Sequence, residues 1–366
     1  MKVAIIGAGV SGLTAAITFQ RYGITPDIFE KKCKIGELFN HVAGLLKVIN
    51  RPIKDPLHHL KNVYGIEVKP IDTIDKIVMK GPTVTASVTG SNLGYMILRG
   101  QDANSLENQL YNKLEIPVNF NIEADYKKLK NDYDYVIIAT GSSQIPKELG
   151  CWQELVTTWV RVANVLGNFD PKTLLMWINT LYTKSGYVYL MPYNERRAVL
   201  AMVLPYISKE ELQYYWDTFL KVEKMHVDIV NMVDLEHTSG NCFPHQYENL
   251  IFVGNAGGAI EPFLGFGTFN SIVSGAIAAK SIAEGVDFKK EISFLSEANI
   301  KMLEFRKALD LMDNDKLDKF IKILTFPPVK KLIYNTNFNA IKYGSIFMKY
   351  TINKMNNKPY EHRKKV

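Results

Sequence analysis

No stretch of about 18 uncharged apolar residues occurs in this chain, so the sequence predicts no bilayer-spanning helix. Cysteine is scarce. Cys33, Cys151 and Cys242 are far apart and odd in number, and none has metal-ligand spacing. They read as thiols in a reducing compartment, and no metal is expected. The opening Val3-Ala4-Ile5-Ile6 has no basic stretch before it and no long apolar run or cleavage site after it. A secretory signal is therefore not expected, and the cytoplasm is the default location. There is no internal repeat, no low-complexity segment, no zinc finger and no RNA-binding motif, so nucleic acid is not an expected partner.

What is present is ordinary globular composition: 366 residues, 47% hydrophobic and 22% charged, enough for about two domains. The net charge is +7 and the pI about 9.0, with a denser basic patch at the end. Such a balance suits anionic ligands or an acidic membrane surface.

Val3–Ile6 reads as a fully buried strand, followed by a glycine turn and an apolar helix from Gly12 to Tyr22. Asp27-Ile28-Phe29 is a second strand ending at Glu30, which completes a βαβ-type unit. Residues 66–98 hold looser β-rich pieces, and a helix is expected over 104–114. Tyr135–Ala139 is another buried strand running into Thr140-Gly141. From 152 to 235 the pattern changes to strand-like runs at Thr157–Val165, Gly186–Met191 and Ala198–Leu204. A helix at Ser208–Val222 carries a capping box, Ser208 with Glu211. Leu250–Val253 is a strand, 268–284 a small-residue helix, and 290–366 helical and increasingly basic.

The strongest local signal is Gly7-Ala8-Gly9-Val10-Ser11-Gly12, because it follows a buried strand, opens a helix and has an acid at Glu30 after the second strand. Gly7 permits the tight turn, Gly9 lets backbone approach a pyrophosphate, and Gly12 lets helix and strand pack closely. The helix N-terminus offers free N–H groups and a positive dipole end. Glu30 would accept hydrogen bonds from ribose hydroxyls and repel a 2′-phosphate, which disfavours NADP. No second GxGxxG unit exists for a nicotinamide cofactor.

Near the other end, Ile251–Gly258 and then Glu261-Pro262-Phe263-Leu264-Gly265-Phe266-Gly267-Thr268 form a strand, a turn and a helix start. This resembles the second flavin fingerprint of the p-hydroxybenzoate hydroxylase superfamily. There a Gly-Asp pair reaches the ribityl chain and a Pro…Gly-x-Gly stretch passes the flavin ring. Here the pair is Gly254-Asn255, an amide where the family has a carboxylate. The resemblance implies bound FAD, held by residues 7–12, Glu30, Lys31, Gly254, Asn255, Pro262, Gly265, Phe266, Gly267 and Thr268. Gly141 falls in the family's Ala-Thr-Gly turn, and Arg99, after Tyr95–Leu98, falls where the family has an arginine touching FAD.

Gly186-Tyr187-Val188-Tyr189-Leu190-Met191-Pro192 is similar to the Gly-Tyr-x-Trp-x-Phe-Pro segment of the geranylgeranyl reductase family, which reduces isolated double bonds of prenyl chains. Tyr187, Tyr189 and Met191 would share one strand face and line an apolar pocket. Residues 36–46 fall where relatives place a small-residue loop beside the flavin, with His41 as a candidate proton donor.

The expected fold is α/β: an FAD-binding Rossmann-like three-layer domain, an inserted antiparallel-sheet substrate domain and a C-terminal helical region. The expected boundaries are 1–75, 98–150 and 240–289 for the first, 76–97 and 151–239 for the second, and 290–366 for the third. The expected reaction is flavin-dependent reduction of carbon–carbon double bonds in a lipid-like substrate. An aromatic hydroxylase and a non-redox, flavin-bound cyclase or isomerase are the alternatives. The electron donor is open between a transiently docked reductant and a redox protein. Phe338, Ile341, Ser345, Met348 and Ile352 form one apolar helical face, with Lys342 and Lys349 on another and Lys354, Lys358, Arg363, Lys364 and Lys365 against Glu361 beyond. That pattern predicts peripheral docking on an anionic membrane.

Overall fold

The computed structural model describes residues 1–356, with side chains to Tyr350 and at Ile352. The chain opens with β1 (Val3–Ile6), α1 (Val10–Arg21), β2 (Asp27–Glu30), β3 (His41–Leu46), α2 (Pro56–Tyr64), β4 (Asp72–Lys80) and β5 (Thr85–Arg99). α3 (Leu106–Tyr111), β6 (Val118–Phe120), α4 (Tyr126–Asp132), β7 (Tyr135–Ile138), α5 (Gln144–Glu148) and β8 (Trp152–Leu166) follow. Next come β9 (Thr173–Trp177), α6 (Thr180–Thr183), β10 (Tyr187–Pro192), β11 (Arg197–Pro205), α7 (Lys209–Val222) and β12 (Asp228–Cys242). β13 (Gln246–Tyr247), β14 (Leu250–Phe252), α8 (Thr268–Glu284), α9 (Phe288–Asp310), α10 (Asn314–Thr325), α11 (Pro327–Asn335) and α12 (Ala340–Asn356) complete it.

Two sheets result. The six-stranded sheet runs β13-β14-β7-β1-β2-β6. β1 pairs parallel with both β2 and β7, so the order reverses beside β1, the place where open α/β sheets bind ligands. Every residue of β1 is buried, as a parallel strand covered on both faces requires. The eight-stranded sheet runs β12-β8-β11-β10-β9-β4-β5-β3 and is antiparallel except between β4 and β9.

Alternation along β10 and β11 divides the larger sheet's core. Tyr187, Met191, Val199, Ala201 and Val203 face one cluster; Val188, Leu190, Leu200, Met202 and Leu204 face another. The second is closed by Leu212, Trp216 and Phe219 of α7, whose capping box forms as predicted, with the Ser208 N–H donating to Glu211 Oε2.

Two expectations are corrected. Residues 36–46 are not all loop: 41–46 form β3, paired with β5 from His41↔Arg99 to Leu46↔Gly94. Val42, Leu45 and Leu46 are buried there, which is why this small-residue segment is a strand. The stripe expected to meet a membrane is instead spent inside the protein. Ile341, Ser345 and Ile352 are buried and α12 packs on α9, close enough that a Cβ on Gly344 would lie 2.6 Å from Phe305. Apolar residues on both helices satisfy each other there. The lysine-rich end beyond Asn356 lies outside the described residues.

Candidate flavin and substrate site

The first glycine turn is shaped by contact. Gly7 has φ +105°, and a Cβ there would overlap the Ala139 carbonyl oxygen. A Cβ on Gly12 would overlap the Gly7 carbonyl. Gly9 is different: nothing lies within 4 Å of where its Cβ would be, so its outer side is open. Gly9 caps α1 without a side-chain bond, and the first turn carries no acid. The N–H groups of Val10, Ser11 and Gly12 thus face an anion-binding position.

Glu30 closes this turn from β2. Its carboxylate, 6% exposed, accepts from the Ala8 N–H at 2.8 Å and the Lys32 N–H at 2.9 Å. The Gly36 N–H donates to the Ala8 carbonyl at 3.1 Å, stitching the following loop to the same turn. Lys31 is exposed beside it, and Gly141, with φ +73°, has open space where a Cβ would be.

The second glycine turn presses on the first helix. Cβ atoms on Gly254 and Gly275 would overlap Ser11, one at its Oγ and the other at its carbonyl oxygen. Asn255 follows, half-buried, its side-chain amide without a hydrogen-bond partner among the described residues. α8 then starts at Thr268 with Gly267 as an uncapped N-cap. Two helix N-termini with free N–H groups, an open Gly9, a carboxylate at the end of β2 and an unpartnered amide fit an extended dinucleotide. An Asn at 255 supplies a hydrogen bond without a charge.

Arg99 ends β5 and ties three segments. Its Nε donates to Glu107 Oε1 at 2.8 Å, Nη2 to Glu37 Oε1 at 2.9 Å and Nη1 to Thr268 Oγ1 at 3.1 Å. Glu107 is fully buried, so the pair must stay ion-paired. His41 sits opposite Arg99 on β3, with Nε2 3.5 Å from Glu37 and Nδ1 3.2 Å from the Phe39 carbonyl.

The segment 261–266 joins the two sheets. Glu261 is buried, and its carboxylate accepts from the N–H groups of Phe263 at 2.6 Å, Leu264 at 2.8 Å and Phe266 at 3.2 Å. The Tyr187 hydroxyl donates to the Leu264 carbonyl, and Arg306 Nη1 to that of Phe263 at 3.5 Å. A Cβ on Gly44 would lie 2.9 Å from Met191 Cε and 3.9 Å from Phe266 Cε1, so β3, β10 and this loop meet. The Tyr187 and Tyr189 rings are 6.2 Å apart on the same strand face. Tyr187, Val203, His237, Pro262, Phe263 and Gly265 help line a narrow cleft of about 10 Å³ between this loop and the larger sheet. Burial pulls the His237 imidazole down to about 4 and pushes the hydroxyls of Tyr187 and Tyr189 up. Its walls therefore carry no charge at neutral pH apart from Arg306, which is held by Asp310 and the Ser185 carbonyl.

Tyr187, Met191, Pro262, Gly265 and Phe266, expected from the sequence, are brought together. Separately, Glu30 binds the Gly7–Gly12 turn at Ala8, and the Gly254 turn meets that turn at Ser11. Glu261, His237 and Arg306 went unnoticed in the sequence; only Glu261, an acid amid apolar residues and glycines, carried any local signal.

Residues 1–164 match the family described as Pyridine nucleotide-disulphide oxidoreductase. The chain is 22% identical, over 88% of its length and 91% of the relative's, to digeranylgeranylglycerophospholipid reductase of Thermoplasma acidophilum. Its fold matches a geranylgeranyl bacteriochlorophyll reductase-like protein from Thermoplasma acidophilum with a TM-score of 0.73 at 18% identity, covering 97% of this chain and 98% of that one. A flavin-dependent brominase matches with a TM-score of 0.66 at 13% identity, covering 98% and 100%.

Gly9 and Gly12 are predicted to fail differently. Gly9→Val should keep the fold and thermal stability of the flavin-free protein but lose FAD, since only the open side is filled. Gly12→Val should lose both, because its side chain has no room. Melting curves and flavin absorbance of the two variants check this.

Burial pushes Glu261 up to about 7, against the three amides and Arg306, which pull it down. In the unfolded chain it ionises near 4.5. Between those values the folded state holds more protons, so this residue's contribution to stability falls as pH rises from about 4.5 to 7 and is level above. Thermal melts from pH 5 to 8 should show Glu261→Gln gaining on the wild type as pH rises. A constant difference across that range would contradict the assignment.

Proposed function

We propose that this FAD-dependent oxidoreductase reduces carbon–carbon double bonds of a prenyl or other lipid-like substrate. The observation that carries the reading is the uncharged aromatic face of β10 set against the loop before α8. Tyr187, Tyr189, Met191 and Phe266 offer an alkene contact surface but no group to bind an ionic substrate. The similarity to the digeranylgeranylglycerophospholipid reductase of Thermoplasma acidophilum supports the same reading.

The chain's residues divide the work. Gly7, Gly9 and Gly12, with Glu30, hold the adenosine and pyrophosphate; Gly254 and Asn255 take the ribityl side; Pro262 to Thr268 pass the ring. Lys31, Arg99 and Gly141 flank the same path. FAD, reduced by an external two-electron donor, supplies the hydride for such a reaction. Tyr187 keeps the loop in place through the Leu264 carbonyl. Tyr189 and Met191 orient the alkene and exclude water. Both tyrosines hold their protons and His237 is neutral at pH 7; the second hydrogen comes from solvent or from a side chain, His41 being the candidate.

The test is anaerobic turnover of a geranylgeranyl-bearing lipid by the chemically reduced holoprotein. The product should gain two hydrogens per double bond. A product that forms only with oxygen and carries an added oxygen atom would instead favour hydroxylation, and an unchanged mass would favour isomerisation. Tyr189→Ala should slow the reduction roughly tenfold to a hundredfold while leaving the flavin spectrum intact, since a loosened pocket misplaces the alkene. Loss of FAD in this variant would move the pocket elsewhere.

A further inference from the structure

The basic excess of this protein is confined to its end. Residues 1–318 carry 33 Lys and Arg against 36 Asp and Glu; residues 319–366 carry 11 against one, Glu361. From Lys319 to Tyr360 there is no acidic residue. This segment covers the last part of α10 and all of α11 and α12.

α12 has two apolar faces. One, with Ile341, Ser345 and Ile352, is buried on α9. The other carries Tyr343, Ile346 and Tyr350, at 52%, 63% and 67% exposed. At about 100° per residue the two sets point in roughly opposite directions. Lys342 and Lys349, seven residues apart, lie on one flank between them. Ile323 and Phe326 at the end of α10 and Leu332 of α11 are also exposed, among Lys319, Lys322, Lys330 and Lys331.

We infer that the outer face of α12 docks the protein on an anionic lipid bilayer. Tyrosines and an isoleucine on one face, with lysines along one flank and no acidic residue in the helix, match the headgroup boundary. The rings and Ile346 enter the interface while the lysine stems lie along it and their ammonium groups reach the phosphates. Charge selects this occupant. A second copy of the chain would have to set this lysine-only face against either itself or a nearly neutral body, whereas an acidic membrane complements it throughout. No helix among the described residues is long and apolar enough to cross a membrane. The docking stands independently of the reaction proposed above.

The experiment is co-sedimentation of the full-length holoprotein with vesicles of phosphatidylcholine alone or with about a third phosphatidylglycerol, at low and high salt. Two variants accompany it: Tyr343→Ser/Ile346→Ser/Tyr350→Ser, and Lys342→Gln/Lys349→Gln. All five positions are on the surface, and unchanged melting and flavin content confirm the fold. The wild type should pellet with anionic vesicles only and be released by salt. The triple variant should bind about tenfold or more weakly, and the lysine variant should weaken on anionic vesicles alone. Equal behaviour of wild type and triple variant would overturn the proposal, as would absence of binding to either vesicle. So would lipid-free dimerisation that the triple variant abolishes. Because no turnover is measured, the result does not depend on the substrate.

Discussion

The backbone contact around Ser11 is the constraint on which the rest of this structure depends. The first turn of α1 is pressed between Gly7 below it, Gly254 of the second glycine turn and Gly275 of α8. Each of these positions has no space for a Cβ, so α1, β7 and α8 can meet only as they do. That closeness keeps the N-terminus of α1 free of side chains and sets the Gly254–Gly257 turn beside it. The two glycine turns therefore adjoin at Ser11, as a single site for a long dinucleotide requires.

A second set of contacts passes this geometry to the other sheet. Glu261 gathers three amides of the segment before α8, while Tyr187 and Arg306 hold two of its carbonyls. Those partners come from the loop itself, from β10 and from α9. The loop before α8 is therefore fixed by β10 of the larger sheet and by α9, and a change at Tyr187 is felt in that loop. Arg99 does the same for Glu37, Glu107 and Thr268.

Much of the cofactor side was legible because its signals are local. A continuous apolar run, glycines at fixed offsets and an acid after the next strand lie within 30 residues, and the small-residue helix was placed at 268–284 as observed. Residues whose roles depend on distant partners were not legible. His237 and Arg306 reach the loop from β12 and α9, with no spacing to announce them. β3 looked like loop because Ala43 and Gly44 are small, and its partner β5 is some 50 residues on. In α12 the periodicity gave an apolar stripe correctly but not its use. With two apolar faces, only packing on α9 decides which one is buried.

The central claim is that both glycine turns form one extended site for a dinucleotide flavin. Its most direct test is a titration of the flavin-free protein with FAD and with FMN, which lacks the adenosine and the second phosphate. The account predicts one non-covalent FAD per chain, far tighter than FMN, because the pyrophosphate and adenosine contacts at Gly9 and Glu30 are absent in the shorter ligand. Equal affinity for the two, or no binding of either, would contradict it.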